Sequence, residues 1–145
     1  GHDPLLSDGE LQRRGTEPIG FDALLRESDY VCLHLPLTDE TRGLIGRETL
    51  QRFKSGARLI SAARGGIIDE AALLEALESG HLAGAALDVY AEEPPGELPL
   101  RRHPNVVLTP HIGAQTREAQ SKAALDIAGE VLAALRGEPL RWRVV

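Results

Sequence analysis

The sequence predicts an α/β fold: a doubly wound parallel sheet, incomplete, that ends in a long C-terminal helix. Three observations predict it. Compact apolar runs of strand length recur at 30–35, 58–63, 82–89 and 105–109. Helical patterns separate them, and strands joined through crossover helices pair in parallel with both faces covered. A final segment, 116–136, is long enough for roughly six helical turns and stops at Gly137.

The elements follow in order. Residues 16–19 read as a short strand, and FDALLRES (21–28) as a short amphipathic helix. YVCLHL (30–35) reads as a buried strand that ends at the turn chemistry of Pro36. Cys32 and His34 fall inside it, Cys32 as a small buried hydrophobe and His34 as a packed histidine. Residues 47–54 form another short helix and 58–63 another buried strand. Asp69 is placed to cap the helix EAALLEALES, and Gly80 to end it. LAGAALDV (82–89) is a strand of small residues, so something packs closely on it. NVVLT (105–109) is the last strand. Between them, residues 90–104 carry Pro94, Pro95, Pro99 and Pro104, so no regular helix fits. A link of that length in a compact domain is functional or disordered, and Glu92, Glu93 and Glu97 favour the functional reading. In 116–136, Leu125, Ile127, Val131, Leu132 and Leu135 are available for a buried face.

Composition narrows the function classes. A chain of 145 residues fits one domain with a real core. Its 42% hydrophobic and 26% charged residues are ordinary for a globular protein. The net charge of −6, with basic residues grouped no more densely than Arg101-Arg102 and Arg141-Trp142-Arg143, argues against nucleic acid as a partner. No apolar run reaches the length of a membrane span. The single cysteine, Cys32, cannot form an internal disulfide, which fits a reducing, cytoplasmic setting. Gly1 opens a chain that contains no Met, so the chain is expected either to follow a removed start Met or to begin inside a longer one.

In open parallel sheets, ligands bind beyond the carboxyl ends of the strands. Arg64 follows the strand 58–63, Asp88 lies at the end of 82–89 with Glu93 in the loop after it, and His111 follows 105–109. Parallel strands bring all four to one edge. A fixed arginine holds a carboxylate by a bidentate pair. A histidine moves a proton near neutral pH, and a carboxylate beside it favours the charged ring. Gly65 and Gly66 are expected to let the backbone turn sharply and approach a flat ligand. Position alone does not separate these roles from ordinary ones. Polar residues are common after strands, Asp88 can cap a turn, and Glu93, beside Glu92, can be a solvated loop acid. His81 and His103 read as surface. Neither G-x-G-x-x-G nor G-x-x-x-x-G-K-[ST] occurs.

Three stretches carry a resemblance: SDYVCLHLPLTDETRGLIG, SAARGGIIDEAALLEALESGHLAGAALDVYAEEPP and NVVLTPHIGAQTREAQ. In this order and spacing they resemble the D-isomer-specific 2-hydroxyacid dehydrogenases, nearest to D-3-phosphoglycerate dehydrogenases and glyoxylate/hydroxypyruvate reductases. The resemblance implies a Rossmann-like domain that binds NAD and transfers hydride between NAD(H) and a D-2-hydroxy acid or 2-oxo acid. Placed residue by residue, it implies that Arg64 binds the substrate carboxylate and carbonyl oxygen, that His111 is the general acid/base, and that Glu93 pairs with that histidine. Asp88 matches the aspartate near the nicotinamide carboxamide, and Ala62, Ala63, Gly113 and Ala114 its backbone neighbours. His34, Leu35 and Pro36 match the segment lining the cofactor near its adenosine half. Asp3, in G-H-D-P, matches the acid that holds the adenine ribose hydroxyls, which favours NAD over a 2′-phosphorylated cofactor.

The same resemblance implies that residues 1–145 are the later part of an NAD-binding domain with a C-terminal return segment. The first strand–glycine loop–helix unit and the substrate domain then lie outside the chain, and PLRWRVV runs back toward the latter. Such a segment alone is expected to be unstable or associated, with little or no catalysis. A homodimer is expected by resemblance. 3-Phosphoglycerate, glyoxylate, hydroxypyruvate and D-lactate all stay open as substrates. Two rival readings stand beside the enzyme: a non-catalytic NAD-responsive regulator resembling the C-terminal-binding-protein corepressors, and an inactive truncated fragment.

Overall fold

Four short strands run parallel through the first part of the chain: β1 (Tyr30–Leu33), β2 (Arg58–Ser61), β3 (Gly84–Leu87) and β4 (Val106–Leu108), in the spatial order β1-β2-β3-β4. The computed structural model describes residues 1–143, so Val144 and Val145 of the expected return segment lie outside the described residues. The chain falls into two units, Gly1–Pro110 and a second beginning at His111.

In the first unit the register sets Tyr30 opposite Arg58, Arg58 opposite Gly84, and Ala85 opposite Val106. Because successive strand side chains point to opposite faces, Val31, Leu33, Leu59, Ala85 and Leu87 line one face and are buried. They share a core with Leu25 of α2 (Phe21–Glu27), Leu50 of α3 (Arg47–Gln51) and Leu73 and Leu77 of α4 (Glu70–Glu78). This is the parallel α/β arrangement the alternating pattern predicts. The other face carries Tyr30 and Val107, 61% and 63% exposed, and the Arg58 guanidinium lies 5.5 Å above the Tyr30 ring. Cys32 sits on that outer face and is exposed. The expected burial fails because it alternates with Val31 and Leu33.

Asp69 caps α4 as expected, accepting from the N–H groups of Ala71 and Ala72. Gly80 follows with φ +74°. Other expectations need correction. Residues 16–19 form no strand. The Thr16 N–H donates back to the Leu11 carbonyl, and the other backbone bonds run to Gly1, which donates to the Glu17 carbonyl and accepts from the Ile19 N–H. A single residue is too short a partner for a ladder. His34 lies beyond the end of β1 and is exposed, not packed within a strand. In the proline-rich link, Pro99–Arg102 form one 3₁₀ turn, with Pro99 at the first position where its missing N–H is tolerated. The sequence reading also passed over α1 (Asp8–Arg13), where the Ser7 N–H and hydroxyl both donate to Glu10 Oε2.

The second unit contains α5 (Arg117–Arg136). The Thr116 side chain accepts from the Ala119 N–H at its start, and Gly137 ends it with φ +70°. The buried face expected of Leu125, Ile127, Val131, Leu132 and Leu135 is not found. Leu125 is 75% and Leu135 80% exposed, and no described residue of the helix is buried. A lone helix has no second element in its own unit to cover an apolar stripe.

Candidate active site

The first unit sets the carboxyl ends of β1, β2 and β3 along one edge, and the residues after them form the candidate site. After β2 the chain passes an exposed Ala62 and a buried Ala63 to Arg64. The Arg64 Nη1 donates to the Ala63 carbonyl at 2.7 Å, which folds the guanidinium back over its own turn. Gly66 holds φ +82°, a conformation few other residues adopt. At Gly65 a Cβ would lie 1.6 Å from the Tyr90 carbonyl oxygen. Its missing side chain makes room for the backbone after β3.

That contact joins the Arg64 turn to the loop that carries Asp88 and Glu93. The Asp88 N–H donates to the Ser61 carbonyl, extending the β2–β3 ladder by one bond. Its carboxylate is buried and accepts from the Thr109 hydroxyl. The Tyr90 phenol donates to the Thr109 carbonyl at 2.6 Å. Burial, and then the nearby Asp88 carboxylate, push the Tyr90 phenol above its ordinary value, so it stays a neutral donor. Glu93 Oε1 accepts from the Tyr90 N–H at 3.1 Å, and Glu70 Oε1 accepts from the Ala91 N–H at 2.7 Å. Side chains from α4, from the residue after β4 and from the loop itself thus fix residues 88–93. Glu93 is exposed but is no freely moving loop acid.

After β1, His34 and Pro36 are exposed and Leu35 is partly buried against the core. The Pro36 carbonyl accepts from the Thr41 hydroxyl. Asp3 is partly buried, and its Oδ1 accepts from the Leu5 N–H at 2.9 Å. His111 opens the second unit, with Gly113 and Ala114 after it, all three exposed. Among the described residues His111 is the one non-glycine residue with positive φ, +53°. Such strain in a polar residue is concentrated at functional positions.

The structure therefore joins Arg64, Asp88 and Glu93 through one contact, with His34, Leu35, Pro36, Ala62 and Ala63 at the same sheet edge. The sequence reading missed Tyr90, Thr109 and Glu70. Thr109 carried a signal, a hydroxyl at the end of an otherwise apolar strand. The donor set suits a dinucleotide. A strand end bare of bulky side chains at Ala62 and a fixed carboxylate at Asp88 fit a flat amide-bearing ring laid over the edge. Among the described residues no cluster of His, Cys, Asp or Glu has the grouping of a metal site.

An arginine turn and an acidic loop are thus pinned together at the carboxyl edge of a parallel sheet, the edge at which open α/β sheets bind their ligands. Residues 1–113 match the NAD binding domain of the D-isomer specific 2-hydroxyacid dehydrogenases, and the chain belongs to that family. It is 50% identical over 138 residues to the D-3-phosphoglycerate dehydrogenase of Bacillus subtilis, covering 95% of this chain and 26% of that enzyme. The chain thus spans about a quarter of the length of such relatives. A D-lactate dehydrogenase from Treponema pallidum superposes with a TM-score of 0.88 at 34% identity, over 97% of this chain and 46% of that one. The NAD-dependent formate dehydrogenase of Staphylococcus aureus, solved with NAD, gives 0.86 at 34% identity, over 97% and 42%.

Proposed function

We propose that this chain is the later part of an NAD-binding domain and supplies the proton and anion chemistry of an NAD-dependent D-2-hydroxyacid dehydrogenase. 3-Phosphoglycerate is its leading substrate, ahead of glyoxylate, hydroxypyruvate and D-lactate, because curated relatives 47–50% identical to this chain carry the phosphoglycerate name. The observation that carries this reading is the Gly65–Tyr90 contact, which ties the Arg64 turn to the Asp88–Glu93 loop.

When bound, NAD(H) would supply the hydride donor or acceptor for the substrate C2. Arg64 anchors the substrate carboxylate and stabilises the negative charge that grows on the carbonyl oxygen during reduction. His111, as imidazolium, gives that oxygen its proton. In oxidation the neutral ring takes the hydroxyl proton back. Glu93 pairs with His111 and orients the ring. Asp88, Ala62, Ala63, Gly113 and Ala114 border the nicotinamide end, His34, Leu35 and Pro36 the adenosine half, and Asp3 the ribose hydroxyls. A homodimer working in the cytoplasm completes the proposal.

The test replaces the matching segment of the Bacillus subtilis relative with this chain and follows NADH oxidation against a panel of 2-oxo acids. Arg64→Ala and His111→Ala are each expected to lower kcat/KM at least about a hundredfold while NADH binding is kept. A hybrid that binds NADH but turns over no 2-oxo acid rejects the enzyme reading and favours the NAD-responsive regulator.

A further inference from the structure

Ser61 closes β2, and it is 1% exposed. Among the described residues its hydroxyl is the one buried side-chain polar atom without a hydrogen-bond partner. A buried hydroxyl left in that condition is strongly unfavourable, and native proteins satisfy such groups with protein atoms or ordered water. Beside it lies a cavity of about 10 Å³, the space of a single water molecule. Ser61, Glu70 and the Arg64-Gly65-Gly66 turn line it, together with the apolar Ile68, Leu87 and Val89. Glu70 donates nothing as a carboxylate but accepts readily. Its bond from the Ala91 N–H takes one of roughly four acceptor sites on the group.

We propose that this cavity is a dedicated site for one ordered water that bridges the Ser61 hydroxyl to Glu70 and to the peptide groups of the Arg64 turn. The site deals with two problems at once. It satisfies the hydroxyl that the strand end buries, and it braces from behind a turn whose two glycines supply no side-chain packing of their own. It stands on the first unit alone and does not depend on the reaction proposed above.

The test is a crystal structure of the unsubstituted whole chain at a resolution that shows solvent, with Ser61→Ala beside it. A solvent peak within hydrogen-bond reach of Ser61 Oγ, absent in Ser61→Ala, is the expected result. A dry cavity, or a hydroxyl bonded directly to protein, overturns the proposal. Denaturant unfolding gives a second reading with opposite signs. A water-satisfied hydroxyl makes Ser61→Ala raise the unfolding equilibrium constant about fivefold. An orphaned hydroxyl makes the same substitution neutral or stabilising, and that outcome rejects the site.

Discussion

A methyl group at position 65 has nowhere to go. It would sit 1.6 Å from a backbone oxygen, which cannot swing aside as a flexible side chain can. Gly65→Ala is therefore expected to destabilise the first unit by about 3 kcal/mol or more, read as a shift in denaturant midpoint. At Gly66 the nearest atoms to an added Cβ are ends of Arg42 and Leu37 at 3.5 Å and beyond. The penalty there is the left-handed backbone alone, about 1–2 kcal/mol. Equal effects at the two positions would contradict this division. Tyr90 provides a pH test. Its phenol titrates above the ordinary value of about 10 because burial and then Asp88 oppose its ionisation. A group raised on folding contributes stability that is complete below its unfolded value and is lost as pH climbs through the folded one. Tyr90→Phe is thus expected to lose about 1 kcal/mol at pH 7, with the bond to the Thr109 carbonyl gone. Its stability should then fall less steeply than the native protein's above about pH 10.

Among the elements, α4 has the most local design. Asp69→Ala removes two accepted N–H bonds at its first turn and is expected to cost about 1 kcal/mol, measured by thermal unfolding. That cap and the stop at Gly80 were legible because both act within a few residues of chain. The four strands were legible as apolar runs, but each was read too long. A ladder ends where its neighbour ends, and β4 pairs over three residues only. Residues 16–19 have a strand's composition without a strand's partner. The S-x-x-E of Ser7 and Glu10 announces α1, yet that helix buries Leu11 alone, so no apolar period accompanied the signal. Arg64, Asp88 and Glu93 were readable because the carboxyl edge of a parallel sheet gathers loops by rule. Their supports were not. Tyr90 meets Thr109 across 19 residues and Gly65 meets Tyr90 across a whole β-α-β step, and no local pattern encodes such pairs.

For the whole molecule, the decisive property is apolar surface that its own units leave uncovered. Tyr30 and Val107 on the outer sheet face, and Leu125 and Leu135 on α5, are all more than half exposed. Surfaces of this kind drive association. Sedimentation velocity of the chain is expected to show species that grow with concentration, and Val107→Lys to reduce them. A single species at every concentration would count against it. No helix among the described residues is long and apolar enough to cross a membrane. The bond from the Ala91 N–H to Glu70 has a practical corollary for redesign. Segment 88–93 is clamped by the first turn of α4 and by the turn before it, not only by its own flanks. A laboratory that transplants this segment from a relative must therefore carry positions 65 and 70 along with it. The transferable cassette is set by touch across the fold, and its pieces are scattered along the gene.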